Sequence, residues 1–415
     1  MTRPRRRPCR GLVVAAAVGA LVAPAAGGAS RALPYPAGAV VPAASPTPSP
    51  SGDEVRDLTP AVRSRIDRAV RRVMEQAEVP GVSVGVWTPD GRYVKSFGVA
   101  DRSTGEAMRP DLFTRIGSET KTFTVTALLE LVDEGRVGLD DTVDRYVDGV
   151  PNGSRITLRQ LAGMRSGLFN YSEDEAFFKA LTADPRREFT PRQLLGYAFG
   201  HPVLFPPGQK FDYSNTNLIL LGLVVEKAGG QALGDYIQEH VLDPAGLDDT
   251  LFPKGDEFPE PHAQGYTNQT ATGKVEVSTD WNPSWGWAAG AMISTLEDLR
   301  VWARTVATGQ LPDGERLISP ATQEQRLTTP PSTVPGAGYG LGIFDVRGWI
   351  GHNGSLPGYE SLTIYLPSAR TTLVVVLNTD IDHKNQEPST LFGDAITTII
   401  SPDHVFDLPA QPAAT

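Results

Sequence analysis

Cysteine is almost missing from this sequence: of 415 residues, only Cys9 carries a thiol. That excludes a disulfide framework and a thiolate metal centre. Histidine is sparse as well, with six residues and no HxxxH or HExxH pair, so neither a zinc centre nor another cofactor is expected. Basic charge is in deficit. Lysine plus arginine number 38 against 48 acids, and five of the arginines stand in the first ten residues. The remaining 33 basic residues face all 48 acids, which makes a poor partner for nucleic acid or for an anionic membrane surface. Beyond the N-terminus no apolar run is long enough to span a bilayer. What is present, 40% hydrophobic and 21% charged residues, is the composition of a folded globular protein. The length allows one large domain or two packed subdomains.

The first thirty residues read as an address. Arg3, Arg5, Arg6, Arg7 and Arg10 precede an apolar run from Gly11 to Ala23, and Ala23-Pro24-Ala25 offers a cleavage site. This is the layout of a secretory signal peptide over 1–30; an uncleaved anchor is the alternative. Cys9 lies before the apolar run, so it is not a lipid-modified cysteine. The mature chain would be cysteine-free, which suits an oxidising exterior, and a secreted, cell-envelope location is expected. Residues 31–55, rich in Pro, Ala and Ser, read as a semi-extended linker. The folded domain is expected over 56–405, followed by a tail at 406–415.

Within that domain, strands are expected at both ends and helices between. Ile66, Val70, Val73 and Met74 have helical spacing inside 60–79. Residues 82–88 and 92–99 alternate around the turn Pro89-Asp90-Gly91, a hairpin signal. A second hairpin follows late, 362–366 and 371–377, and a helix over 390–400 closes the chain. Helical patterns cover 119–134, 190–199 and 216–228. The fold class is therefore α/β of the α+β kind. Terminal helices flank an antiparallel five-stranded type of sheet, and a mainly helical subdomain is inserted at roughly 140–270. A pocket is expected at the seam.

Three short motifs carry chemistry. Ser118-Glu119-Thr120-Lys121 opens an apolar helix, and it is the only SxxK in a chain with eight lysines. Residues three apart share a helix face, so the Lys121 amine reaches the Ser118 hydroxyl. A serine needs a base to become a nucleophile, and lysine serves only when burial keeps it neutral. An ordinary helix cap with a solvated lysine is the plain alternative. Tyr213-Ser214-Asn215 follows the loop Pro206-Pro207-Gly208 and precedes a helix. A tyrosine there can shuttle a proton, with its pKa drawn down by a neighbouring cation, and Asn215 can hold a substrate amide. The alternative is a core tyrosine beside a helix cap. His352-Asn353-Gly354-Ser355 precedes the late hairpin. His352 can hold a cation or a donor at the pocket edge, and Gly354 lets a substrate approach the backbone. A plain turn is the alternative.

In this order and spacing, the three motifs resemble those of the serine penicillin-recognising enzymes: secreted D-alanyl-D-alanine carboxypeptidases with their class C β-lactamase and esterase relatives. The likeness runs over most of 58–400. It includes Leu161-Ala162-Gly163-Met164-Arg165-Ser166-Gly167-Leu168, Ala288-Ala289-Gly290-Ala291-Met292-Ile293-Ser294 and Gly338-Tyr339-Gly340-Leu341-Gly342. The resemblance implies an acyl-enzyme on Ser118, with Lys121 and Tyr213 moving protons. It also implies an oxyanion hole from the N–H groups of Ser118 and Ser355. Asn215, Trp285, His352, Gly354 and Ser355 would bind substrate, which is a cell-wall peptide, a β-lactam or an ester. A monomer without cofactor is expected.

Three departures bear on the substrate. Similar carboxypeptidases place an arginine for the substrate's terminal carboxylate where this chain has Phe344. Arg347, read as strand, would face the other side of the sheet. Asn353 replaces a threonine, and Pro357 replaces a polar residue.

Overall fold

The computed structural model describes residues 57–408 apart from 333 and 335. The expected leader and linker lie outside the described residues.

The first helix, α1 (Pro60–Ala77), starts where Thr59 accepts from the Val62 N–H and Pro60 takes the first turn. Its Ile66, Val70 and Val73 are buried on one stripe, the period expected of a surface helix. β1 (Gly81–Thr88) and β2 (Gly91–Gly98) form a hairpin closed by Thr88 opposite Gly91. The rest of the sheet comes from the far end of the chain: β3 (Ala337–Tyr339), β4 (Phe344–Val346), β5 (Trp349–Leu356), β6 (Tyr359–Leu366) and β7 (Thr371–Leu377). All pairings are antiparallel, in the order β2-β1-β7-β6-β5-β4-β3. The sheet thus has seven strands. Five long ones match the expected architecture, and two three-residue strands extend one edge. The centre joins the chain ends, with Val84 opposite Val375.

The layers follow from burial. α1 packs with α5 (Pro388–Ile400) on one face of the sheet. On the other face lie α2 (Thr120–Asp133) and α4 (Leu296–Thr308), where Trp302 stacks on Phe123 with ring centroids 4.1 Å apart. Further out, the helical region packs α3 (Asn215–Gly229) against α2. Both α2 and α3 are buried almost all round near their starts. Such helices show no polar face because none meets water.

Two sequence expectations change here. Arg347 is not on a strand. With Gly348 it makes the two-residue turn between β4 and β5, at φ 52° and 91°, the conformation that suits a tight hairpin. Phe406 and Leu408, assigned to the tail, are buried, and Phe406 stacks near Phe344 at 5.7 Å.

Candidate active site

The starts of the two buried helices meet one strand end. Ser118 sits in the 3₁₀ turn Gly117–Glu119 that leads into α2. Tyr213 ends the loop that leads into α3, and Asn215 is its first residue. β5 runs past both. Ser355 stands opposite Glu360, next to the pair Leu356–Tyr359 that closes a two-residue turn. The closing pair exchanges hydrogen bonds, so the next pair does not, and the Ser355 N–H points away from β6. It points at the Ser118 turn: a Cβ on Gly117 would lie 2.6 Å from the Ser355 nitrogen.

Lys121 is fully buried, with Nζ 2.8 Å from Ser118 Oγ and 2.7 Å from the Ala289 carbonyl oxygen. Burial lowers its pKa well below the ordinary lysine value, and no carboxylate offsets the effect. The ring of Tyr213 lies 5.0 Å from the same nitrogen. The Tyr213 hydroxyl is buried near Ser118, whose hydroxyl favours the phenolate, but no hydrogen bond of ordinary geometry closes between them. Burial is the larger effect and Glu387 adds to it, so the phenol titrates above its usual range. That corrects the expectation that a cation draws it down: burial outweighs the one lowering contact, which comes from Ser118.

His352 also departs from its expected role. Its Nδ1 is 2.5 Å from the Asn353 carbonyl oxygen and its Nε2 is 3.1 Å from the Tyr339 hydroxyl. A neutral ring satisfies both, donating from Nδ1 and accepting from Tyr339. Burial, followed by the nearby Lys121, pushes its pKa down to about 3, so it is a neutral, enclosed residue and holds no cation. Gly354 is glycine for a reason inside the fold, since a Cβ there would come 1.9 Å from the Ile116 carbonyl oxygen. Asn215 donates from Nδ2 to Ser172 Oγ at 3.0 Å, and its N–H bonds Asn170 Oδ1. Trp285 is 3% exposed and packs against Phe177 at 5.9 Å, while its carbonyl accepts from Tyr171 at 2.5 Å. It belongs to the buried helical region more than to an open wall. Phe344 is buried 5.4 Å from the His352 ring.

Three residues at this site escaped the sequence reading. Tyr339 brings its hydroxyl to His352 Nε2; its signal was the Gly338-Tyr339-Gly340 stretch. Glu119 lies 1% exposed next to Ser118, near Ser361 and Thr363; its signal was an acid at the start of a helix that turns apolar. Glu387 accepts from Asn353 Nδ2 at 2.5 Å, and nothing local in the sequence announced it.

A family profile described as Beta-lactamase matches residues 66–392. The chain belongs to the beta-lactamase family. Its fold also aligns with solved structures. A D-stereospecific amidohydrolase from Streptomyces is 29% identical with a TM-score of 0.73, over 82% of this chain and 99% of that one. The D-amino acid amidase of Ochrobactrum anthropi SV3, solved with L-phenylalanine amide, is 26% identical with a TM-score of 0.71, over 82% and 98%. Protein flp of Staphylococcus aureus MW2 is 28% identical over 79% of this chain. This chain spans 65% of the length of that curated relative.

Proposed function

We propose that this family member is an exported, monomeric serine hydrolase that forms an acyl-enzyme on Ser118 and cleaves amide or ester bonds of D-configured acyl groups. The observation that carries this reading is Lys121: an amine with no counter-ion, 2.8 Å from a serine hydroxyl and shut away from water. Kept neutral, its lone pair accepts the Ser118 proton as Oγ bonds to the carbonyl carbon. The oxyanion forms at the N–H groups of Ser118 and Ser355, and losing one such donor typically costs about 3 kcal/mol. Tyr213 gives its proton to the leaving nitrogen or oxygen as that bond breaks, and is reprotonated from Lys121. Water then attacks the ester. Its proton returns through the same pair to Ser118 Oγ, and the free acid leaves.

The narrower reading, a D-alanyl-D-alanine carboxypeptidase on peptidoglycan peptides, rests on the motif resemblance. It needs a cation for the terminal carboxylate, and Phe344 is not one. The likeness to a D-stereospecific amidohydrolase and a D-amino acid amidase favours a substrate without that carboxylate. Export is supported by the arginine-rich, apolar arrangement of residues 1–30.

The test is intact-mass measurement during hydrolysis of a nitrophenyl ester of N-acetyl-D-alanine. Wild type is expected to show a transient acyl adduct on the peptide holding Ser118, and Ser118→Ala none. Turnover surviving in Ser118→Ala would end the proposal. A D-Ala-D-Ala peptide, a short-chain ester and nitrocefin, run side by side, decide between the readings.

A further inference from the structure

Asn353 and Ser355 are two apart on β5, so their side chains share the face of the sheet that α5 covers. Asn353 holds Glu387, the residue just before α5, through Nδ2 to Oε2 at 2.5 Å. Asn353 is 2% exposed, but Glu387 is only partly buried. Its charge also acts on Tyr213, so the carboxyl lies within electrostatic reach of the phenol. Around it stand Asp382 and Asp380, whose charges it feels, and Glu360, which lies opposite Ser355. Among the described residues none of these four acids makes an ion pair. Glu360 Oε1, Ser389 Oγ and Thr390 Oγ1 are buried beside them without hydrogen-bond partners. The charged groups around the Glu387 end of β5 are therefore acids, with no cation among them.

We propose that Glu387 is a specificity-determining residue on the leaving-group side of the cleft, selecting leaving groups that are neutral or carry an amine over those ending in a free carboxylate. This rests on the acyl-enzyme reading above and deepens it. The electrostatics have a definite sign. Burial, with Asp382 next, raises the Glu387 carboxyl to about 8. An ammonium group beside it stabilises the ionised form and binds better as pH rises. A carboxylate beside it is tolerated only while Glu387 keeps its proton, and is repelled once that proton leaves. Preference for the amine should therefore grow across pH 8. The groups facing Glu387 are Asn353 on β5, Glu360 on β6, Asp380 and Asp382 after β7, and Tyr213 before α3, and none of them is a cation.

The experiment uses three N-acetyl-D-alanyl substrates with matched leaving groups: D-alanine, D-alaninamide, and the analogue with aminomethyl in place of the carboxylate. Wild type is expected to favour the amine over the acid by roughly tenfold or more in kcat/KM, with the amide between. The ratio should increase from pH 7 to pH 9. Glu387→Gln should bring the ratio to within about threefold, and Glu387→Lys should invert it. A ratio measured on one preparation cancels the active fraction, so partial misfolding does not mimic the result. Preference of wild type for the acid, a ratio flat in pH, or an unchanged ratio in Glu387→Gln would overturn the proposal while leaving the acyl-enzyme intact. Absence of any Ser118 ester with all three substrates would instead remove the acyl-enzyme reading, and this proposal with it.

Discussion

The backbone of Gly354 lies directly against Ile116: a methyl group there would come 1.9 Å from the Ile116 carbonyl oxygen and 2.9 Å from Ser361 Oγ. Ser361 itself donates to that same carbonyl at 3.2 Å. Strands β5 and β6 therefore hold the segment that presents Ser118 two residues later. Gly117 completes the contact at φ 51°, packed on the Ser355 nitrogen.

Gly354→Ala should therefore act on geometry. Pushing β5 off Ile116 moves the Ser355 N–H relative to Ser118, and a shift of about 1 Å can cost on the order of 100-fold in rate. We expect kcat to fall by about that factor with a smaller change in KM, and the melting temperature to drop. Wild-type kinetics in the purified variant would show that the two strands do not set the oxyanion donors.

Lys121 is expected to set the acid limb of activity. Its pKa is lowered by burial alone, well below the ordinary lysine value of 10.5. Activity should rise with pH as the amine loses its proton and reach its plateau below the ordinary lysine range. Lys121→Arg keeps the charge and cannot give up its proton, so acylation should fall by about 10²–10⁴, the usual worth of a positioned base. Burst kinetics with a nitrophenyl ester measure this. An arginine variant that acylates like wild type would remove Lys121 from the proton path.

Much of this was legible beforehand because its causes are local. Ser118 and Lys121 meet through the spacing of a helix, and Tyr213 and Asn215 stand at a loop-to-helix junction that Pro206-Pro207-Gly208 announces. The long hairpins show through alternation and turn residues. β3 and β4 did not, since three residues cannot display a period. The neutrality of His352 depends on burial and on Lys121, the need for glycine at 354 depends on Ile116, and Glu387 reaches Asn353 across 34 positions. These are tertiary facts, and no sequence window contains both partners.

Glu119 should make stability depend on pH. Burial raises its carboxyl to about 8, against an ordinary value of 4.5, with Ser361 and Thr363 lowering it only in part. A folded-state pKa above the unfolded one means the native state binds the proton more tightly. Stability is then greatest below the unfolded value and falls as pH rises toward the folded one. For a fully buried acid the loss is on the order of 5 kcal/mol. Glu119→Gln removes the titration while keeping the shape. Its melting temperature should exceed that of wild type at pH 8–9, with the gap closing toward pH 5. Parallel curves would show that Glu119 titrates as an ordinary surface acid.

Phe344→Arg tests whether a carboxylate site can be restored by one substitution. The resemblance to carboxypeptidases places an arginine there, but in this chain the side chain is 6% exposed and packs between His352 and Phe406 at 5.4 and 5.7 Å. An arginine would lose that packing and bury a charge beside a histidine that is already neutral and enclosed. Removing a core phenylalanine alone costs about 3–5 kcal/mol when truncated to alanine, and an unpaired charge adds to it. Phe344→Arg is therefore expected to melt well below Phe344→Leu and to gain no turnover of N-acetyl-D-alanyl-D-alanine. A stable variant that now cleaves this peptide would mean that the pocket reaches Phe344 after all, and that one side chain separates this enzyme from a carboxypeptidase.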